Sequence, residues 1–195
     1  MTDPFRVLFV CEGNVCRSPW AEVALRRCWP TAAAGQLVVS SAGTHAARGQ
    51  AAHAFLTPLC ADDAEREAIE RHRARRVDGA LLREQDLVLV AARAQRSDLL
   101  ESWPAALHRT FTVGEVARLV RSEPIRAEER ATPIHELLAR RRRPIDPAAD
   151  EDIDDPVRGT LDDFRRMAAR TQQLLGEVAP ALASVIGDAG RRVHA

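Results

Sequence analysis

The sequence predicts an α/β protein, a parallel sheet of four strands with helices on both faces. Short runs of branched apolar residues recur along the chain, at residues 5–10 (FRVLFV), 37–41 (LVVSS) and 87–91 (LVLVA). They are nearly continuous in apolar character rather than alternating, as strands covered on both faces are. Stretches with helical spacing separate them, the order that builds a parallel sheet through crossover connections. A chain of 195 residues, 46% hydrophobic and 29% charged, is long enough for one well-filled core. We read a single domain over 1–195 with an inserted segment at about 122–150.

The first strand, 5–10, runs into the loop CEGNVCRSP, and AEVALRRC after it has helical spacing. The second strand, 37–41, is ended by Ala42-Gly43. Helices are expected at about 47–58 and 64–76. Gln85-Asp86 precedes the third strand, 87–91, and residues 109–112 (RTFT) fit a short fourth. Between and after these, helices are expected at 94–102 and 113–121. Residues 122–154 differ in character. Pro124, Pro133, Pro144 and Pro147 punctuate them, and four consecutive arginines, 140–143, precede an acidic run. A short helix at about 133–142 and a loop after it are expected. The arginine run reads either as a solvated helix end or as a docking patch for protein or phosphate. Residues 161–186 form one helix or two, with Pro180 the candidate break, and the tail from Gly187 is expected to fray.

Basic and acidic residues number 28 each, so the formal charge is zero, which argues against a general nucleic-acid binder. Every basic residue is arginine, which removes lysine-nucleophile and Schiff-base chemistry. No apolar run approaches the roughly 20 residues that span a bilayer. No signal-peptide pattern opens the chain, so a reducing cytoplasm is expected, with Cys11, Cys16, Cys28 and Cys60 as thiols. The first loop lacks a G-x-G-x-x-G run, and the six histidines have no metal-ligand spacing. Neither cofactor nor metal is expected.

The chemistry concentrates in Cys11-Glu12-Gly13-Asn14-Val15-Cys16-Arg17, directly after a buried strand and before a helix. A loop of this length can wrap its backbone N–H groups around one tetrahedral anion, toward which the following helix points its positive end. Gly13 is expected to take unusual dihedrals and let the backbone approach closely. Arg17 can hold two phosphate oxygens in a bidentate fork. Cys11, under the ring of donors, is favoured as thiolate and placed for in-line attack on a phosphate ester. Ser18 can donate to that thiolate as it leaves, or cap the helix. Asn14 can pin the loop. Glu12, Val15 and Cys16 complete the phosphate-binding turn.

Residues 7–22, VLFVCEGNVCRSPWAE, resemble the opening of the low-molecular-weight protein tyrosine phosphatases. Ser41-Ala42-Gly43-Thr44, His72-Arg73-Ala74-Arg75, Asp86-Leu87-Val88-Leu89 and Asp155-Pro156 match later motifs in order. The resemblance implies a flavodoxin-like three-layer sandwich and hydrolysis of phosphate monoesters, with protein phosphotyrosine the leading substrate, through a cysteinyl-phosphate. It implies Cys11 as nucleophile, Arg17 as phosphate ligand and Asp155 as the acid that protonates the leaving oxygen and later activates water. It also implies Asn14, Ser18 and Ser41 as supports of the loop. Cys16 reads either as a reversible disulfide partner of Cys11 or as a small residue packed at the loop floor. From the residues alone, Asp155 lies in an acidic run where Asp154 is its nearest rival.

The family's aromatic residues after the Asp-Pro pair are Val157 and Arg158 here, and the rim residue after the nucleophile is Glu12. Trp20 either walls the cleft or packs against the sheet. Phosphoserine, sugar or metabolite phosphates, arsenate reduction, and silent phosphate binding are the alternative functions. Arsenate reduction needs relay thiols, and the segment AARAQRSDLLESW after the third strand has none. The expected partners are a phosphorylated protein or a small phosphate ester, with no nucleic acid or membrane, and the chain a monomer or weak dimer.

Overall fold

A computed structural model describes residues 3–30, 36–142 and 151–191. Strand β1 (Phe5–Cys11) leads into helix α1 (Arg17–Cys28), followed by β2 (Leu37–Gly43). Then come α2 (Asp63–Arg71), α3 (Gly79–Arg83), β3 (Leu87–Val90), α4 (Arg93–Ser102), β4 (Thr110–Thr112), α5 (Val113–Ser122), α6 (Ile134–Arg141) and α7 (Leu161–Arg191). The sheet is wholly parallel with strand order β2-β1-β3-β4. After β2 the chain crosses over β1 to lay down β3, so the order reverses between β1 and β3. In open α/β sheets that switch opens a crevice at the carboxyl ends of the strands.

Side-chain alternation along the strands divides the core into two layers. Val7, Phe9, Leu87, Leu89 and Phe111 face α1, α5, α6 and α7, packing on Trp20, Val116, Leu138 and Leu175. Leu8, Val10, Val88 and Val90 face the other way, onto Leu82, Leu99 and Ala106. An exposed strand edge invites pairing with another chain. Here β2 is blunted by two arginines, as Arg26 Nη2 donates to Val39 O at 2.9 Å and Arg75 Nε to Ser41 O at 2.8 Å.

The four strands lie where the apolar runs predict them, and the helices differ in three ways. The helix expected at 47–58 is instead a turn at Gly49 (φ 84°), a bridge from Ala51 to Arg73, and a 3₁₀ turn over Ala54–Leu59. Its backbone is committed elsewhere: Gly49 N donates to Ala74 O and His53 N to Val15 O. The helix expected to reach 76 stops at Arg71, because residues 72–77 extend to pair with Gly43, whose N–H donates to Arg75 O at 2.9 Å. Helix α3 was not expected; Asp78 caps it by accepting from Leu81 N at 2.8 Å. Helix α7 is the one-helix alternative, passing through Pro180 unbroken. Pro180 and the carbonyl-bearing Gly176 one turn before it are both exposed, while Val178, Ala179 and Leu182 are buried around them. The carbonyl that Pro180 cannot serve lies on the exposed side of the helix, and the apolar face holds the helix together.

The arginine run is structural where it is described. Arg140 pairs with Glu136, Arg141 with Glu129 at 2.7 Å, and Arg142 with fully buried Glu115 at 2.8 Å while stacking on Phe111. Arg141 and Arg142 are thus engaged within the fold, while Arg140 is exposed at the helix end, as the solvated-end alternative expects. Arg143 and the expected loop at 143–150 lie outside the described residues.

Candidate active site

The loop between β1 and α1 closes into a cup because its carbonyls are drawn outward. Cys11 O accepts from Thr44 N, Glu12 O from His45 N and Val15 O from His53 N, each at 2.9 Å. Asn14 O lies 2.7 Å from His72 Nε2. With the carbonyls bound outside, the peptide N–H groups turn inward, and Asn14 N approaches Cys11 Sγ at 3.3 Å. The first turn of α1 adds its free amides on the same side.

The sharp bend falls on Asn14 (φ 53°), not on Gly13 as expected. Asparagine tolerates the left-handed region, and this one is fixed there from both ends of its amide. Its Oδ1 accepts from Arg75 N at 2.9 Å and its Nδ2 donates to Ser18 Oγ at 2.9 Å. Close approach is instead the role of Gly43 at the end of β2. A Cβ there would stand 2.4 Å from Glu12 O and 2.9 Å from Asn14 N.

Cys11 Sγ lies at the base of the cup, 3.0 Å from Ser18 Oγ. That hydroxyl accepts from Asn14 and lies 3.2 Å from Ala42 O, so its single proton can serve either the sulfur or the carbonyl. With a thiol, S–H donates to Oγ and the hydroxyl turns to Ala42. With a thiolate, the hydroxyl turns to sulfur. Cys16 is also buried, and its thiol is pushed up to about 12 by burial first, then by the charges of Asp155 and Cys11. It is held as a neutral thiol beside Cys11.

A second segment comes in from across the switch point. Residues 151–155 are pinned at four places: Glu151 by Arg118 Nε at 2.5 Å, Asp152 by Arg93 N at 2.9 Å, Ile153 N by Ala91 O at 2.8 Å, and Ile153 O by Arg17 Nη1 at 3.4 Å. Asp152 thereby caps α4, whose own N-cap, Ala92, has no polar side chain. Gly114 at the start of α5 lets the segment pass, since a Cβ there would meet Glu151 O at 2.3 Å. The segment delivers Asp155, whose Oδ2 lies 2.5 Å from Arg17 Nη2. Arg17 is 5% exposed, and its Nε is buried without a partner.

Cys11, Glu12, Gly13, Val15, Cys16 and Arg17 line a cleft of about 450 Å³, closed on the other side by Asp155, Val157 and Arg158. Asn14 and Ser18 lie beneath it, and Ser41 enters through its carbonyl, on Arg75. Trp20 does not wall the cleft as the rim reading expects. It is 1% exposed in the core layer, with Arg27 over its ring. Sequence reasoning missed His45 and Gln50, which complete the lining. Their only sequence signal is that both follow the Ser-Ala-Gly-Thr motif closely, and Gln50 lies in a stretch read as helix. Among the described residues no cluster of His, Cys, Asp or Glu could hold a metal ion, and no helix is long and apolar enough to cross a membrane.

The sequence model of the family described as low molecular weight phosphotyrosine protein phosphatase matches residues 6–125. The chain belongs to this family. Among its relatives, the low molecular weight protein-tyrosine-phosphatase Ptp of Acinetobacter johnsonii is 36% identical over 110 residues, 55% of this chain and 71% of that one. The probable low molecular weight protein-tyrosine-phosphatase EpsP of Ralstonia nicotianae is 32% identical over 140 residues, 72% of this chain and 90% of that one. The crystal structure of the low molecular weight protein tyrosine phosphatase from T. tengcongensis matches with a TM-score of 0.65 over 90% of this chain and 98% of that one. At 24% identity that likeness supports the fold alone. This low molecular weight phosphatase contains no tyrosine of its own.

Proposed function

We propose that this protein hydrolyses phosphate monoesters on protein tyrosine through a cysteinyl-phosphate intermediate. The observation that carries this reading is the convergence of Cys11, Arg17 and Asp155 on one cleft above a cup of inward-turned amides. The buried, unpartnered Nε of Arg17 and its Nη2 form one edge of a guanidinium, suited to two oxygens of a phosphoryl group.

In the first step the Cys11 thiolate attacks phosphorus, the P–O ester bond breaks, and Asp155 gives its proton to the departing phenolate oxygen. In the second, the Asp155 carboxylate takes a proton from water, the water oxygen bonds to phosphorus, and the S–P bond breaks. Ser18 donates to the leaving thiolate, and the amides and Arg17 hold the equatorial oxygens throughout. The products are tyrosine and inorganic phosphate. Cys16, kept protonated, does not compete as nucleophile. The cleft is of a size for one phosphorylated side chain.

The test compares p-nitrophenyl phosphate, phosphotyrosine, phosphoserine and phosphoarginine peptides on wild type and Cys11→Ser. Turnover of the phosphotyrosine peptide above the others, lost in Cys11→Ser, is expected. Preference for another peptide would reassign the substrate. Arsenate-dependent oxidation of a thiol donor without ester hydrolysis would overturn the reading.

A further inference from the structure

A second cavity, of about 480 Å³, adjoins the catalytic cleft. The two share Asp155 and Arg158, so Arg158 stands in the wall between them. The far side of the second cavity is α7, which contributes Asp163, Arg166, Met167 and Arg170. Most charges around it are already engaged. Asp152 accepts from Arg93, Asp155 is paired with Arg17, and Asp163 is held by Thr160 and Arg166. Arg170 Nη1 reaches Gln173 Oε1 at 3.5 Å. Arg158 and Asp154 are exposed and form no ion pair among the described residues. Glu12, the acidic residue of the catalytic mouth, lines the first cleft only.

A peptide lying across the cleft advances about 3.3 Å per residue when extended. With the phosphorylated residue over Cys11, a neighbour two or three positions away lies roughly 7–10 Å off, and on the Arg158 side the adjoining cavity is the next surface it reaches. On that side it meets the guanidinium of Arg158. A neighbour kept within the mouth meets the carboxylate of Glu12.

We propose that the second cavity is a subsite for an acidic residue on one side of the phosphorylated one, and that Arg158 is the group that reads its charge. This rests on the protein phosphatase reading and names its substrate class: peptides with an acidic flank on one side. Asp154 borders the same cavity and opposes the preference, so the net preference depends on Arg158.

The test measures kcat/KM for a matched set of phosphotyrosine peptides with Ala, Asp or Arg at successive flanking positions. An exposed pair of this kind changes the ratio by about two- to fivefold. Wild type is expected to favour Asp over Ala by that factor on one side of the phosphotyrosine only, with the gain fading in high salt. Arg158→Glu is expected to invert the preference, and Asp154→Asn to widen it. Each variant is read as its own Asp-to-Ala ratio, so a change in overall rate does not enter. Wild type that hydrolyses the Ala peptides and treats Asp peptides the same overturns the subsite, as does an Arg158→Glu variant that keeps the wild-type ratio. Failure to hydrolyse any of these peptides, with other phosphate esters still turned over, overturns the protein phosphotyrosine reading itself, and the subsite with it.

Discussion

Asp155 Oδ2 and Arg17 Nη2 lie 2.5 Å apart, so the proposed acid and the proposed phosphate ligand are bound to each other across the cleft. On the proposed mechanism an incoming phosphoryl group takes that edge of Arg17 and releases Asp155, which takes up a proton, toward the ester oxygen. One event binds the substrate and frees the acid.

The pair has a consequence that separates binding from catalysis. Asp155→Ala removes the carboxylate that competes for Arg17, so inorganic phosphate is expected to inhibit this variant more tightly, by about two- to fivefold for a partly exposed pair. Its kcat is expected to fall by about 10²–10³-fold through loss of the general acid. Inhibition constants and turnover measured on the same preparation check both directions.

Gly43→Ala tests the packing of β2 against the loop. The new Cβ meets backbone at Glu12 and Asn14, which cannot rotate away. Destabilisation of about 1–3 kcal/mol by denaturant titration is expected, with a larger fractional loss of kcat/KM because the strain falls on the cup.

Asn14→Ala leaves Arg75 N without its acceptor and places alanine at φ 53°. About 1–3 kcal/mol of stability is expected to go with the lost buried bonds. Asn14→Gly relieves the backbone but not the bonds, so it is expected to recover part of the stability and little of the activity.

Burial and the charges of Asp155 and Cys11 hold Cys16 protonated up to about pH 12. Because the folded state keeps this proton longer than the unfolded chain, its contribution to stability is complete below about pH 9 and is lost as pH rises toward 12. Cys16→Ala is expected to flatten that alkaline decline in unfolding free energy. In native protein between pH 7 and about pH 9, alkylation mapped by peptide mass is expected to leave Cys16 unmodified, and unfolding to expose it.

Arg142→Ala leaves the carboxylate of Glu115, 0% exposed, without its nearest cation. Unfolding is expected to become easier by about 3–5 kcal/mol, the usual cost of stranding one member of a buried pair. Adding Glu115→Gln to the same chain is expected to restore part of the loss.

The phosphate loop is legible in the sequence because seven consecutive residues carry both the chemistry and its placement between strand and helix. The strands are legible because both sheet faces are covered, which leaves continuous apolar runs. Asp155 is less so. It meets Arg17 across 138 positions, within an acidic run that offers several similar residues, and only the Asp-Pro pair marks it. Gln50 is hidden because the alanine-rich stretch around it favours helix locally, while amides there are spent on the loop and on residue 74; His45 is hidden because no motif marks it. Trp20 is open to both readings because its place in the first turn of α1 does not say which face of the helix meets the sheet. Pro180 leaves one helix or two open because a proline tolerated on a solvated helix face looks, in one dimension, like a break.

The most direct test is acid-quenched single turnover of p-nitrophenyl phosphate by Asp155→Asn, followed by peptide mapping. With a leaving group that needs no proton, the first step proceeds, and the second is slowed by loss of the base. A phosphoryl group on the peptide carrying Cys11, formed as nitrophenol is released and missing from Cys11→Ser, is the result expected. Nitrophenol release with no phosphoryl group on the protein, or with the group on Ser18 or Cys16, would contradict it.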